Sequence, residues 1–280
     1  MDGSNDNRIT LSAFQPFHAA SGSGDGRLVQ TSMLPGRRNV WFSCGAASAV
    51  AAKLAVDVHG KDVELLYCNT LKNEHGDNMR FLRDVEQWLG VSVKIISSEK
   101  YETCEEVWED RQYMSGPAGA PCTVELKKVP RFAYQWAEDV HIFGLTADEG
   151  RRIDRFSHDN HDLFLEWNLR DAGITKADCY EIVKEAGIVL PEMYRLGYEN
   201  NNCIGCVKAT SPHYWNRVRK THPATFAKRA EQSRRIGCRL VRYKGERIFL
   251  DELPPEAAEV VPEDLSCGPQ CSPESSHQNQ

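Results

Sequence analysis

Between residues 39 and 146 the chain alternates short apolar runs with amphipathic or alanine-rich segments, and no other feature restricts its fold as strongly. "NVWFS" reads as a strand and 46–59 as a helix. "VELLYCN" (63–69) is a second strand, 75–89 an amphipathic helix, "VSVKIIS" (91–97) a third strand and "DVHIFGLT" (139–146) a fourth. Strands separated by helices join through right-handed crossovers into a mostly parallel sheet with both faces covered. The expected class is α/β, doubly wound, with flanking helices and a C-terminal extension.

The remaining segments attach to this frame. A loop carrying Gly116, Pro117, Gly119 and Pro121 leads to Cys122 and a helix through about Glu138. Residues 175–187 read as a short helix, 212–236 as a basic helical region, and 238–253 as a hairpin turning near Lys244-Gly245. Residues 1–37, rich in Gly, Ser, Asn and Asp, hold too little apolar surface to offset the entropy of ordering and read as an arm. The expected division is an arm over 1–37, an α/β domain over 38–210, a basic helix and hairpin over 211–253 and an acidic tail over 254–280.

No apolar run approaches the ~18 residues of a membrane-spanning helix. "MDGSNDNRIT" lacks the basic and apolar regions of an export signal, so a cytoplasmic location without membrane attachment is expected. In that setting ten cysteines favour metal binding or thiol chemistry over disulfides. Charge is unevenly spread. Residues 208–247 hold twelve Lys and Arg against Glu231 and Glu246, whereas 251–280 hold seven acidic residues and no Lys or Arg. The basic segment suits an anionic partner, nucleic acid among the candidates, or the acidic tail itself.

The first strand ends in Ser43-Cys44-Gly45-Ala46-Ala47-Ser48 and passes into a helix. A strand entering a small-residue turn and then a helix makes an anion site, because N–H groups point outward and absent side chains let phosphate approach. Close packing of the alanines on the sheet is the alternative reading. The lysine-containing phosphate loop G-x-x-x-x-G-K-[ST] cannot be written onto these residues. After the fourth strand, "FGLTADEGRRIDRF" places Gly144, Glu149, Arg151 and Arg152 at the carboxyl end of the sheet, where α/β proteins bind ligands and where arginine suits phosphate or sulfate.

Cysteine supplies the second signal. Cys203-x-x-Cys206 lies in a polar loop, and Cys122 precedes Lys127 and Pro130. Such thiols can hold zinc or an iron–sulfur cluster, or resolve one another. A further pair, Cys267 and Cys271, lies in the tail "EDLSCGPQC".

Together these stretches resemble the phosphoadenosine phosphosulfate (PAPS) reductase family of the PP-loop superfamily. The turn at 43–48 is similar to that family's modified phosphate loop, with Cys44 at the first glycine and Ala47 at the aspartate. Members carrying a [4Fe–4S] cluster show a cysteine pair followed by Lys and Pro, then a C-x-x-C pair. Here Cys122, Lys127, Pro130, Cys203 and Cys206 match, and Pro121 occupies one cysteine position. The resemblance implies a [4Fe–4S] cluster on Cys122, Cys203 and Cys206, either with one iron left open or with a fourth ligand from elsewhere, such as Cys104 or Cys238; zinc on the same residues is the alternative. Gly144 and Glu149 match the family's motif after the fourth strand, where Thr146 replaces its arginine. Cys267-Gly268 resembles the reductases' C-terminal Glu-Cys-Gly segment, which implies a nucleophilic Cys267 with Cys271 as second thiol.

The resemblance thus implies an oxidoreductase that holds an adenine sulfonucleotide at 43–48, 127, 144, 149, 151 and 152 and receives electrons from a thioredoxin-like protein. Two other readings fit the same residues: an ATP-dependent sulfurtransferase acting on nucleic acid, and a nucleotide- or redox-sensing protein without turnover.

Overall fold

The computed structural model describes residues 36–257. Five strands form one parallel sheet: β1 (Arg38–Trp41), β2 (Val63–Cys68), β3 (Val93–Ile96), β4 (Val140–Phe143) and β5 (Phe164–Glu166), in the order β3-β2-β1-β4-β5. β1 is central, with Val40 in register with Leu65 on one side and Ile142 on the other. The chain builds outward from β1 to β3, then returns across it to β4 and β5. The crevice between the carboxyl ends of β1 and β4 is therefore the point where strand order reverses.

Alternation along the strands sends residues to two cores. Val40, Phe42, Leu65 and Tyr67 pack with α1 (Ala46–His59), α2 (Asn78–Leu89) and α8 (Lys176–Glu185). Trp41, Leu66, Cys68 and Phe143 pack on the other face with Ile153 and Phe156 of α6 (Gly150–Asp159). Apart from half-buried Ala47, the alanines of α1 are wholly or almost wholly buried, which lets this helix lie close against the sheet.

A third core lies away from the sheet. It joins α3 (Cys104–Arg111), the 121–126 segment, α9 (Glu192–Arg195), α10 (Pro212–Thr221), α11 (Pro223–Ile236) and the hairpin β6 (Val241–Tyr243)–β7 (Glu246–Ile248), with Trp108 and Trp215 fully buried at its centre. Residues 254–257 belong to this body too, since Asn216 Nδ2 donates to the carbonyls of Pro254 and Ala257 at 3.0 and 2.9 Å.

Four sequence readings change. The helix expected to reach Glu138 is compound and stops earlier: α4 (Pro121–Thr123), a π-helical turn over Val124–Lys128, and α5 (Val129–Tyr134). The basic region at 212–236 is two helices, because Pro223 has no N–H to donate and pushes His222 out of helical geometry, to φ −138°. α3 and β5 are additions. At the other boundary, Arg37, placed by the sequence in the arm over 1–37, is fastened to the sheet by its 2.6 Å bond to Asp139. No helix among the described residues is long and apolar enough to cross a membrane.

Candidate functional site

The turn after β1 is held by its own side chains. Ser48 Oγ accepts from Ser43 N–H at 3.1 Å and donates to the Gly45 carbonyl at 2.9 Å, and it lies 3.2 Å from Ser43 Oγ. Cys44 takes φ +56°, a left-handed conformation that glycine adopts freely and a cysteine does not. Its side chain is fully buried, and burial, followed by the nearby Glu74 carboxylate, pushes the thiol pKa well up. Tyr194 reaches over from α9, and its hydroxyl accepts from Ala46 N–H at 3.3 Å. One helix-terminal N–H is thus already occupied. Those of Ala47 and Ser48 have no acceptor among the described residues.

β4 meets this turn directly. A Cβ on Gly144 would stand 2.6 Å from both Cα and N of Ser48, so only glycine lets the β4 exit touch the first turn of α1. Ala47 sits in the same contact. The 43–48 turn and the β4 exit, expected to serve one ligand, are one surface.

Beneath the turn runs a buried polar chain that sequence reasoning missed. Glu74 accepts from Tyr67 OH and Asn78 Nδ2 at 2.6 Å each and from Thr70 Oγ1 at 2.5 Å. Asn201 Nδ2 donates to Asn78 Oδ1 at 2.8 Å and to the Cys44 carbonyl at 2.7 Å. A carboxylate satisfied in this way fixes the turn from below. Asn201 comes from the loop that carries the C-x-x-C pair, so that loop and the turn are tied together.

Two cations approach from the compound helix. Lys127, in the π-helical turn, is 8% exposed, and its charge draws down the thiol pKa values of Cys44 and Cys68 against the stronger upward effect of burial. Arg131, one turn on, is 1% exposed and acts on Cys68 in the same sense. Burial lowers the Arg131 pKa to about 10, and its Nε and Nη1 have no protein partner. A buried guanidinium with unmet donors is costly unless an anion completes it. Arg131 was not singled out from the sequence, although it directly follows Pro130.

The loop after β4 is less committed to a ligand than its sequence suggests. Glu149 caps its own helical turn, accepting from Thr146 N and Oγ1 at 3.0 and 3.1 Å, and pairs with Arg152 at 2.5 Å. Arg151 is exposed.

The cysteines gather in the third core. Cys104, at the start of α3, is in hydrogen-bonding contact with both Cys122 and Cys203, and these contacts, ahead of burial, push its thiol pKa well up. Cys104, Cys122, Cys203 and Cys206 are all buried, and all eight cysteines among the described residues are free thiols. The C-x-x-C turn is clamped by Tyr214, whose hydroxyl accepts from Cys206 N–H at 2.7 Å and lies 3.5 Å from the Cys203 carbonyl. Cys238 instead donates to the Ser115 carbonyl at 3.3 Å. Among the described residues no three His, Cys, Asp or Glu side chains surround a common point as metal ligands do, so this is a cluster of thiols and not a finished coordination cage. In donor type and burial the set nevertheless suits zinc or an iron–sulfur cluster. Cys267 and Cys271 lie outside the described residues.

No known protein family matches the chain, and no curated protein does. Among solved structures it is similar to phosphoadenylyl-sulfate (PAPS) reductase from Candida auris in its phosphate complex. The TM-score is 0.45 and the identity 15%, over 61% of this chain and 82% of that one.

Proposed function

We propose that this chain is a sulfonucleotide reductase-like enzyme that binds an adenine sulfonucleotide at the crevice between β1 and β4. The observation that carries this reading is the convergence there of the 43–48 turn, Gly144 and the buried Lys127, with Arg131 one turn on and short of an acceptor. Helix-terminal N–H groups and Ser43 receive a phosphate, and Lys127 and Arg131 neutralise the second anionic group.

In the reaction the Cys267 thiolate attacks the sulfur of the sulfate–phosphate anhydride. A C–S–SO3⁻ thiosulfonate forms as the S–O bond to the nucleotide breaks, and the nucleotide leaves with the bonding pair. A second thiolate, from Cys271 or a thioredoxin-type dithiol, attacks the Cys267 sulfur, giving a disulfide and free sulfite. Sulfur is reduced by two electrons, and the two thiols are oxidised. The Lys127 and Arg131 cations favour the step by stabilising charge on the departing nucleotide.

Cys104, Cys122, Cys203 and Cys206 would hold a [4Fe–4S] cluster, with zinc as the alternative. When bound, the group supplies a rigid link between α3, the compound helix and the 203–206 loop. A brown protein with visible absorbance identifies iron–sulfur, and a colourless one with stoichiometric zinc identifies the other.

The test is sulfite release from PAPS or from its analogue without the 3′-phosphate, with thioredoxin as reductant. Wild type is expected to release sulfite. Cys267→Ser is expected to abolish release while retaining nucleotide binding, and Lys127→Ala with Arg131→Ala to weaken that binding at least tenfold. Undiminished turnover by Cys267→Ser removes the assigned nucleophile. Pyrophosphate release from ATP without any sulfite would replace the reductase reading with the sulfurtransferase.

A further inference from the structure

The basic stretch from 208 to 247 divides into two parts with different fates. The arginines of α11 are used internally: Arg229 pairs with Glu105 at 3.1 Å, Arg234 with Asp251 at 2.7 Å and Arg235 with Glu109 at 2.5 Å. Arg219 of α10 donates to the Leu253 carbonyl at 2.6 Å. The arginines after α11 have no acidic partner among the described residues, although Arg247 Nη1 donates to the Leu240 carbonyl at 2.9 Å. Arg239, Arg242 and Arg247 are exposed and form no ion pair among the described residues.

These three arginines and Lys208 line one groove of about 950 Å³ between the Gly116–Gly119 turn and the β6–β7 hairpin, and no Asp or Glu lines it. Arg242 and Arg247 are also direct cross-strand partners in the hairpin. Like charges placed opposite each other destabilise an antiparallel pair. β6 is pinned in this position by the 2.8 Å bond from Arg242 N–H to the Thr210 carbonyl. The hairpin therefore holds a concentration of positive charge that folding alone does not require. This occurs in a chain whose overall net charge is −6, so the groove stands apart from its surroundings.

We infer that this groove binds the phosphodiester backbone of a single-stranded nucleic acid. Three of its cations are exposed and spread over residues 239–247, and half-buried Lys208 comes from a separate segment, which suits a chain of phosphates crossing the surface better than one enclosed phosphate. Tyr113 on the lining sets an aromatic ring beside the cations, the combination that single strands use, while the Phe249 ring packs against Arg234 and Arg239 at 4.0 and 5.3 Å. The inference does not depend on the chemistry at β1 and β4.

Fluorescence anisotropy of the full chain with a labelled mixed-sequence strand of about 16 nucleotides tests it. Wild type is expected to bind with affinity that falls steeply with salt. Arg239→Glu with Arg242→Glu is expected to weaken binding at least tenfold and to lower the log–log salt slope by about 1.4, at ~0.7 per lost phosphate contact. Arg242→Gln alone, a milder change, should lower the slope by about 0.7. Arg235→Ala, on the neutralised helix and paired with Glu109, should leave affinity and slope unchanged. The idea is overturned if wild type fails to bind the strand, if the helix and hairpin variants lose binding equally, or if tripolyphosphate binds the groove and the strand does not.

Discussion

His141 is the interior group whose protonation acts most directly on stability. It is fully buried in β4, where Nδ1 accepts from Trp41 Nε1 at 3.0 Å and Nε2 has no partner. Burial, reinforced by the positive charge of Arg131 and Arg37 and opposed by Asp139, lowers its pKa from 6.5 to about 4. The unfolded chain therefore binds this proton first. Stability from this group is complete above pH 6.5, falls as the pH drops through the interval, and levels off near 4, where the native form also protonates. At ~1.4 kcal/mol per unit the loss is about 3 kcal/mol. His141→Gln keeps an acceptor for Trp41 and should flatten this part of the stability–pH curve, read by urea unfolding at pH 7 and pH 4.5. Equal slopes in the two proteins would rule out the assignment. Cys44 holds φ +56°, so the turn carries a strained non-glycine residue.

At the scale of elements, the contact between Gly144 and Ser48 is the joint on which the β1–β4 crevice depends. Gly144→Ala sets a methyl 2.6 Å from two backbone atoms, and no rotamer change can relieve it. The β4 exit must separate from α1, which should cost about 3 kcal/mol and weaken nucleotide binding together with it. Thermal unfolding and nucleotide titration of one preparation measure both, and a variant of wild-type stability would show that the joint is slack. The same scale shows what could be read from the sequence. α1 spans the expected 46–59, β2 to β4 fall inside the expected runs and β1 begins one residue before its own, because central parallel strands are continuously apolar. β5 escaped because it is a three-residue edge strand whose Phe164 is 61% exposed, leaving no burial pattern to detect. α3 did carry a signal, the Thr103-x-x-Glu106 capping box, but its acidic outer face hides it among loop residues. Of the candidate site, the turn and the cysteine motifs were legible as local patterns. Glu74, Arg131, Asn201, Tyr194 and Tyr214 were not, since each matters only through partners distant in sequence.

Across the whole molecule, the sheet and the third core are bridged by the compound helix from Pro121 to Tyr134. Cys122 at its start faces the thiol cluster, while Lys127 and Arg131 further along lie near the ends of β1 and β2. The π-helical turn between them holds one more residue per turn than an α-helix would. It therefore sets the angular phase between the sulfur end of the helix and the cationic end. Deleting Val124, which is exposed, would let the segment relax to a regular α-helix and rotate one end against the other by about 100°. Such a deletion should leave either the metal content or the nucleotide affinity intact, but never both, and measuring the two on one sample would expose any failure of this coupling. A single surplus residue thus acts as the timing mark that lets the thiol end and the cationic end of one rod face separate directions.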